Sequence, residues 1–153
     1  MVESIGSQDS EFREAIRNIN GFLKKFDSRI TPLSEAVAVD MLMANTSYSY
    51  ANIKTEVFVV KPKGQAGTDL IFSTPVCSLP KENLLPFYRQ LLVWNNFQTD
   101  VAHFAVSDTQ NAVFLVMRRP VLDLEYSEFR YCVDKISAVT LNTLFQLKQK
   151  FGV

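Results

Sequence analysis

The chain has few of the side chains from which active sites and metal centres are usually built. It contains one histidine, His103, and two cysteines, Cys77 and Cys132, far apart in the sequence. A structural zinc site needs several Cys or His ligands at short spacings, so zinc binding is excluded. We expect both thiols to be reduced and buried, as is typical of a cytoplasmic protein.

Long apolar runs and an excess of charge of either sign are also missing. No stretch approaches the roughly 20 apolar residues that span a bilayer, and residues 1–5 lack the basic and apolar regions of a signal peptide. Lysine and arginine total 16, as do aspartate and glutamate, so no net charge attracts nucleic acid or anionic lipid. We therefore expect a cytoplasmic protein that binds neither nucleic acid nor membrane.

Glycine is scarce, and only Gly64-Gln65-Ala66-Gly67 suggests a phosphate-binding loop. This segment lacks the Gly-Lys-Ser/Thr ending, and no helix is predicted after it, so a loop between strands is the better interpretation. Asp123, Glu125 and Glu128 cluster where a helix is expected to begin, and there carboxylates stabilise the helix dipole. His103 lies in a predicted strand without an evident catalytic partner. We predict no cofactor and no enzymatic activity.

What the sequence does contain is a regular alternation of periodic segments. Hydrophobic residues make up 47% and charged residues 21%, which is ordinary for a globular protein, and we expect one domain over residues 1–153. Apolar residues at helical spacing predict a first helix that ends before Thr31-Pro32. The elements expected after it are strands at 36–44, 48–60 and 70–77, a helix at 81–96, strands at 101–106 and 112–117, and a final helix reaching about Lys150.

The connections between these strands are short, which favours antiparallel pairing. The predicted fold class is therefore α+β, in the order α-βββ-α-ββ-α, with a five-stranded antiparallel sheet covered by helices. A turn is expected at 45–47, and a flexible connection at 61–67.

Two helices carry more apolar surface than one buried face needs. The second helix is apolar over about half its circumference, which predicts burial on two sides, one against the sheet and the other against another subunit. Tyr88 and Trp94 are its candidate interface residues. In the last helix, Tyr131, Leu141 and Phe145 form a patch nearly opposite the main apolar stripe. Such a patch is either a contact surface or a coincidence, and we favour contact. These five residues are the candidate dimer or partner surface.

A second candidate surface lies on the strand predicted at 48–60. Alternation places Tyr48, Tyr50 and Phe58 on one face of that strand. Exposed aromatic side chains suit contact with a client polypeptide, whereas the alternative is that they pack beneath a helix. The sequence alone leaves both interpretations open.

The segment from Leu84 to Phe129 resembles class I type III secretion chaperones and the related YbjN-like proteins. In LLPFYRQLLVWNN, the leucines and asparagine of the resemblance are Leu91, Leu92 and Asn95. AHFAVSDTQNAVFLVMRRPV resembles the strand–turn–strand of that superfamily, and LEYSEFRYCVDKI resembles the opening of its last helix. The chain also resembles a small cyanobacterial family that shares this fold.

The resemblance implies a non-enzymatic homodimer that binds an extended segment of a client protein without ATP. The chaperone group is typically acidic, and this chain differs in being neutral overall. The predicted function is a chaperone-like or adaptor module that binds another protein. The alternative is a small-molecule-sensing regulatory domain with its ligand held between sheet and helix.

Overall fold

A computed structural model describes residues 5–36, 38–97 and 102–153. In this part of the chain, the helices are α1 (Ile5–Phe26), α2 (Leu84–Phe97) and α3 (Tyr126–Phe151). The strands are β1 (Ser34–Ala36), β2 (Met41–Tyr50), β3 (Ile53–Pro62), β4 (Asp69–Ser78), β5 (Ala102–Ser107) and β6 (Ala112–Pro120). None of the described helices combines the length and apolar character that a membrane crossing requires.

The strands form one antiparallel sheet in the order β1-β2-β3-β4-β6-β5. At one end of that order, β1 pairs with β2, with Glu35 opposite Ala44. At the other end, β5 and β6 form the predicted hairpin, with Phe104 opposite Leu115. The α+β class and the antiparallel sheet are thus confirmed, but the sheet has six described strands where five were predicted.

The additional strand arises from the apolar run predicted as one strand at 36–44. The run is divided, because β1 ends at Ala36 and β2 begins only at Met41. Between them, Val39 is 96% exposed, and the Asp40 carbonyl accepts a hydrogen bond from the Lys63 amide at 2.8 Å. The chain reverses direction here, so that β1 folds back on β2. An apolar run does not show by itself whether its side chains are buried.

The strand predicted at 48–60 is also wrong, because a hairpin turn interrupts it. β2 ends at Tyr50 and β3 begins at Ile53, so Ala51 and Asn52 form the turn. Their φ angles of 52° and 63° are both positive, as the two-residue turns favoured in hairpins require. The turn expected at 45–47 instead lies inside β2.

The described chain divides into two compact units. The first contains α1, β1, most of β2 and β3, the start of β4 and the segment from Arg119 to Tyr131. Its apolar interior includes side chains at most 2% exposed, namely Phe12, Ile19, Leu23, Val57, Val59, Leu70 and Phe129. The ring of Phe22 lies 5.9 Å from that of Tyr126 and 5.6 Å from that of Phe129.

The second unit contains the β2–β3 turn, most of β4, α2, the β5–β6 hairpin and α3 from Cys132 onward. Its interior includes Phe72, Phe87, Leu91, Trp94, Leu115, Met117, Ile136 and Leu147, each at most 4% exposed. Two polar side chains join across β3 and β4, since the fully buried hydroxyls of Thr55 and Thr74 are 2.7 Å apart.

The start of α3 is fixed by its own acidic residues. Glu128 lies three residues after Glu125, and its Oε2 accepts a hydrogen bond from the Glu125 amide at 3.0 Å. This is the returning half of a capping box, in which a side chain satisfies an amide at the helix start. The cluster of carboxylates seen in the sequence thus includes a helix cap.

Candidate protein-binding surfaces

Helix α3 has two apolar faces with opposite environments. The predicted main stripe is buried at Phe129, Val133, Ile136 and Leu147, all 0% exposed. At about 100° per residue, Leu141 and Phe145 project from the other side of the helix, where they are 46% and 62% exposed.

Tyr131 lies earlier on the outward side of α3 and is 53% exposed. These side chains are therefore accessible, as a contact surface requires. Their role in an interface stays a prediction.

Helix α2 is also apolar on two sides, although the outward residues are not those chosen from the sequence. Phe87, Leu91 and Trp94 face inward, with Trp94 only 4% exposed. Leu85 and Leu92 face outward and are 81% and 68% exposed. A helix that is apolar over a wide arc does not reveal its inward side through its pattern alone.

Trp94 consequently belongs to the interior of the second unit and not to an accessible surface. Its ring centroid lies 5.9 Å from that of Phe104 in β5, and the Lys150 ammonium lies 5.9 Å from the same indole. Tyr88 is half-buried, with its ring edge-on to Phe87 at 6.2 Å. We call Leu85, Leu92, Leu141 and Phe145 the outer apolar set.

Both helices of the outer apolar set are held firmly where they meet. Lys150 Nζ donates a hydrogen bond to Gln90 Oε1 at 2.8 Å. The rings of Phe87 and Phe151 are edge-on at 5.1 Å, a favourable aromatic geometry. The last turn of α3 thus contacts α2. These contacts fix the position of the helix that carries Leu85 and Leu92.

The aromatic residues predicted as a client-binding face do not share one environment. Tyr48 is 4% exposed, and its ring packs edge-on against Phe26 at 5.6 Å. Tyr50 is half-buried, and its hydroxyl donates a hydrogen bond to Asp134 Oδ1 at 3.0 Å. For Tyr48, the alternative interpretation, packing beneath a helix, agrees with this placement.

Phe58 is separated from both tyrosines by the hairpin turn. The two-residue turn sets Tyr50 opposite Ile53, and side chains alternate between faces along each strand. Phe58 follows Ile53 by an odd number of positions, so it lies on the other face of the sheet. The three residues therefore do not form one surface, because the turn changed the phase of the alternation.

A polar contact that the sequence did not reveal connects α2 to β5. The amide of Phe104 donates a hydrogen bond to Asn95 Oδ1 at 2.6 Å. The carbonyl of Phe104 accepts one from Asn95 Nδ2 at 3.2 Å. The resemblance had singled out Asn95 at the end of this helix, but no pattern in the sequence indicated what it contacts.

The residues with potential for chemistry are dispersed. His103 is exposed on β5. Burial raises the pKa of the Cys77 thiol to about 11, so this thiol stays protonated and unreactive at neutral pH. Within the described ranges, no group of three or more His, Cys, Asp or Glu side chains is placed to hold a metal ion.

Open cavities lie at the surface of both units. In the first unit, a cavity of about 250 Å³ is lined partly by Glu11, Glu14, Thr68 and Leu122. In the second, a cavity of about 470 Å³ is lined by residues 78–83 and 151–153. Ligand pockets typically enclose about 300–1,000 Å³, a range that the cavity in the second unit reaches.

Comparison with known proteins gives a likeness of fold. No protein-family model matches the chain, and no curated protein matches it in sequence. The chain is similar to one in the crystal structure of the ExsC–ExsE complex, with a TM-score of 0.52 and 17% identity. The match covers 89% of this chain and 95% of that chain. It supports a fold shared with that chain, whereas the resemblances to YbjN-like proteins and to the cyanobacterial family stay predictions.

Proposed function

We propose that this protein is a non-enzymatic binding module for another protein, with a chaperone-like or adaptor role. The observation that carries the proposal is the outer apolar set on α2 and α3. Leu85 and Phe145 are 81% and 62% exposed, although each helix already buries an apolar face. Covering such side chains gains about 25 cal/mol for each Å² of apolar surface removed from water.

The fold likeness supports the same proposal. The similar chain comes from a complex of ExsC with ExsE, so a chain of this fold occurs in a two-protein assembly. The match extends over 89% of the present chain. Identity of 17% supplies no specific partner.

We further propose that the protein is a homodimer and that Leu141 and Phe145 lie in its interface. In a twofold dimer the same patch meets itself, so a single apolar patch on each copy is sufficient. Aromatic side chains are enriched in such interfaces, whereas charged residues are depleted at their centres.

The dimer is tested by introducing charge into the patch with the double substitution Leu141→Glu and Phe145→Glu. Because unpaired carboxylates are costly to bury, we expect a folded monomer. Size-exclusion chromatography with light scattering gives the mass, and far-UV circular dichroism checks the fold. The matched control, Asn142→Glu with Gln149→Glu, adds the same charge at exposed polar positions of α3 and should leave a dimer. A dimer that persists in the patch variant contradicts the proposed interface.

The binding role is tested by affinity capture of the tagged protein from its native lysate, followed by mass spectrometry. We expect a stoichiometric protein partner that the wild type retains and that the double variant Leu85→Glu, Leu92→Glu loses. Asn96→Glu, on the same exposed side of α2, should retain it. Failure to retain any partner, or equal retention by all variants, contradicts binding through the outer apolar set.

The small-molecule-sensing alternative is favoured by one observation, the cavity of about 470 Å³ beside residues 78–83. A metabolite that binds the folded state raises its thermal stability according to the ratio of its concentration to its Kd. A thermal-shift screen of metabolites therefore tests the alternative. A saturable increase in Tm without a protein partner would replace the binding-module proposal.

A further inference from the structure

At the outer edge of β5, the side chain of Asn95 bonds to backbone groups that a neighbouring strand would otherwise pair with. β5 is last in the sheet order and pairs with β6 on one side. Along a strand, backbone groups of successive residues point alternately to the two sides. Because the amide and carbonyl of Phe104 both meet Asn95 in α2, the polar groups of Ala102, Phe104 and Val106 point away from β6.

The Asn95 carboxamide reproduces the pairing of an antiparallel ladder. In such a ladder, a residue in a hydrogen-bonded pair both donates to and accepts from the same opposing residue. Asn95 does this with Phe104 through its Oδ1, at 2.6 Å, and its Nδ2, at 3.2 Å. A strand added along this edge would need the same two backbone groups.

Apart from its contact with α2, β5 has none of the features that usually protect an edge strand. Natural edges are kept unpaired by a covering helix or loop, by short length, by charged side chains or by proline. β1, at the opposite end of the sheet order, has three residues and carries the exposed Glu35. β5 has six residues, AHFAVS, without lysine, arginine, acidic residue or proline, and Val106 is 39% exposed.

We propose that Asn95 is an edge lock, which prevents β5 from pairing with the β5 strand of a second copy of this chain. The neighbouring contacts hold the lock in position, since the Trp94 ring packs 5.9 Å from that of Phe104. Gln90, one turn earlier in α2, is hydrogen-bonded to Lys150. This inference is independent of the proposed binding function and of the dimer interface on α3.

The test compares Asn95→Ala with Asn96→Ala, the adjacent and exposed asparagine. Removing the lock frees the Phe104 amide, so in dilute samples that keep the wild-type mass its hydrogen exchange should accelerate by roughly threefold to tenfold, the range expected for one net hydrogen bond. The mass by light scattering should also rise with protein concentration above that of the wild type. Asn96→Ala should match the wild type in both measurements. Unchanged exchange or unchanged mass in Asn95→Ala overturns the proposal.

Association through β5 must be distinguished from association of a destabilised protein. The double variant Asn95→Ala, Val106→Lys adds a charge to the strand, which opposes edge pairing. We expect it to return to the wild-type mass while the Phe104 amide still exchanges rapidly. Persistent association of the double variant overturns the proposal.

If Asn95→Ala does not fold, Asn95→Leu is measured in its place. The leucine is of similar size and uncharged, and it can neither accept from the Phe104 amide nor donate to the Phe104 carbonyl. A mass above that of the wild type supports the lock, and an unchanged mass overturns it.

Discussion

Helices α1 and α3 bury similar apolar stripes but present different outward faces. In α1, Phe12, Ile19 and Leu23 are at most 2% exposed. The outward residues of α1 are predominantly charged and polar, namely Arg13, Glu14, Arg17, Asn18, Lys24 and Lys25. In α3, the outward face carries the exposed Leu141 and Phe145. The composition of α1 is explained by folding alone, whereas α3 also carries exposed apolar residues that the packing of its buried face does not explain.

The largest expected effect is a difference in the free energy of unfolding between substitutions on the buried and the outward face of α3. Phe129 is 0% exposed and lies against Phe22, so Phe129→Ala should lower the free energy of unfolding by about 3–5 kcal/mol through lost burial and a cavity. Phe145→Ala, on the outward face, should change it by about 0.5 kcal/mol or less in the monomer. Urea unfolding in a Leu141→Glu background, in which light scattering first checks that the protein is monomeric, provides the measurement. Equal losses for the two alanine variants would contradict the assignment of an outward face.

The next effect repeats the comparison on α1, where both faces are explained by folding. Ile19 is 0% exposed, and Ile19→Ala should cost about 2–5 kcal/mol. Arg17→Ala, on the exposed face, should be within about 0.5 kcal/mol of the wild type. Urea unfolding and light scattering should show that Arg17→Ala alters neither stability nor mass. A change in mass would mean that α1 also contributes a contact surface.

The smallest effect concerns the buried hydroxyl pair of Thr55 and Thr74, 2.7 Å apart. Thr55→Val leaves the Thr74 hydroxyl buried without its partner, and we expect a loss of about 1–3 kcal/mol. Thr55→Val with Thr74→Val removes both polar groups and should lose less than the sum of the single variants. A double-mutant cycle in urea measures this difference. Additive losses would show that the hydroxyls do not interact.

Much of the fold follows from local patterns in the sequence. The buried stripe of α1 and that of α3 repeat at helical spacing, and the β5–β6 hairpin flanks a polar turn with a positive φ at Asn111. In each case, the periodicity of the buried side chains matches the periodicity of the element. These elements could be predicted because the burial of one face determines their pattern.

The β2–β3 hairpin could not be predicted in the same way. Its turn places Ala51 at a φ of 52°, a conformation for which alanine gives no signal, unlike glycine or asparagine. Alternation on both sides of the turn resembled one long strand. The error moved Phe58 to the wrong face, and with it the proposed client-binding surface.

The candidate surfaces depended on which side of α2 faces outward, and periodicity alone does not show this. Leu91, Leu92, Val93 and Trp94 are consecutive apolar residues of α2, yet Trp94 is 4% exposed and Leu92 is 68% exposed. Only packing against β5, where the Trp94 ring meets Phe104, selects the inward side. The two-sided character of α2 was predictable, but the outward residues were not.

The order of the strands in the sheet also means that β5 must wait for its neighbour β6 during synthesis. β6 lies between β4 and β5 in the sheet but follows both along the chain. Translation adds roughly 5–20 residues per second, so β5 emerges from the ribosome on the order of a second before the whole of β6. During that interval, α2 has already emerged and can cover the nascent strand. A helix that reaches β5 early would protect this segment from other chains until its permanent neighbour has emerged.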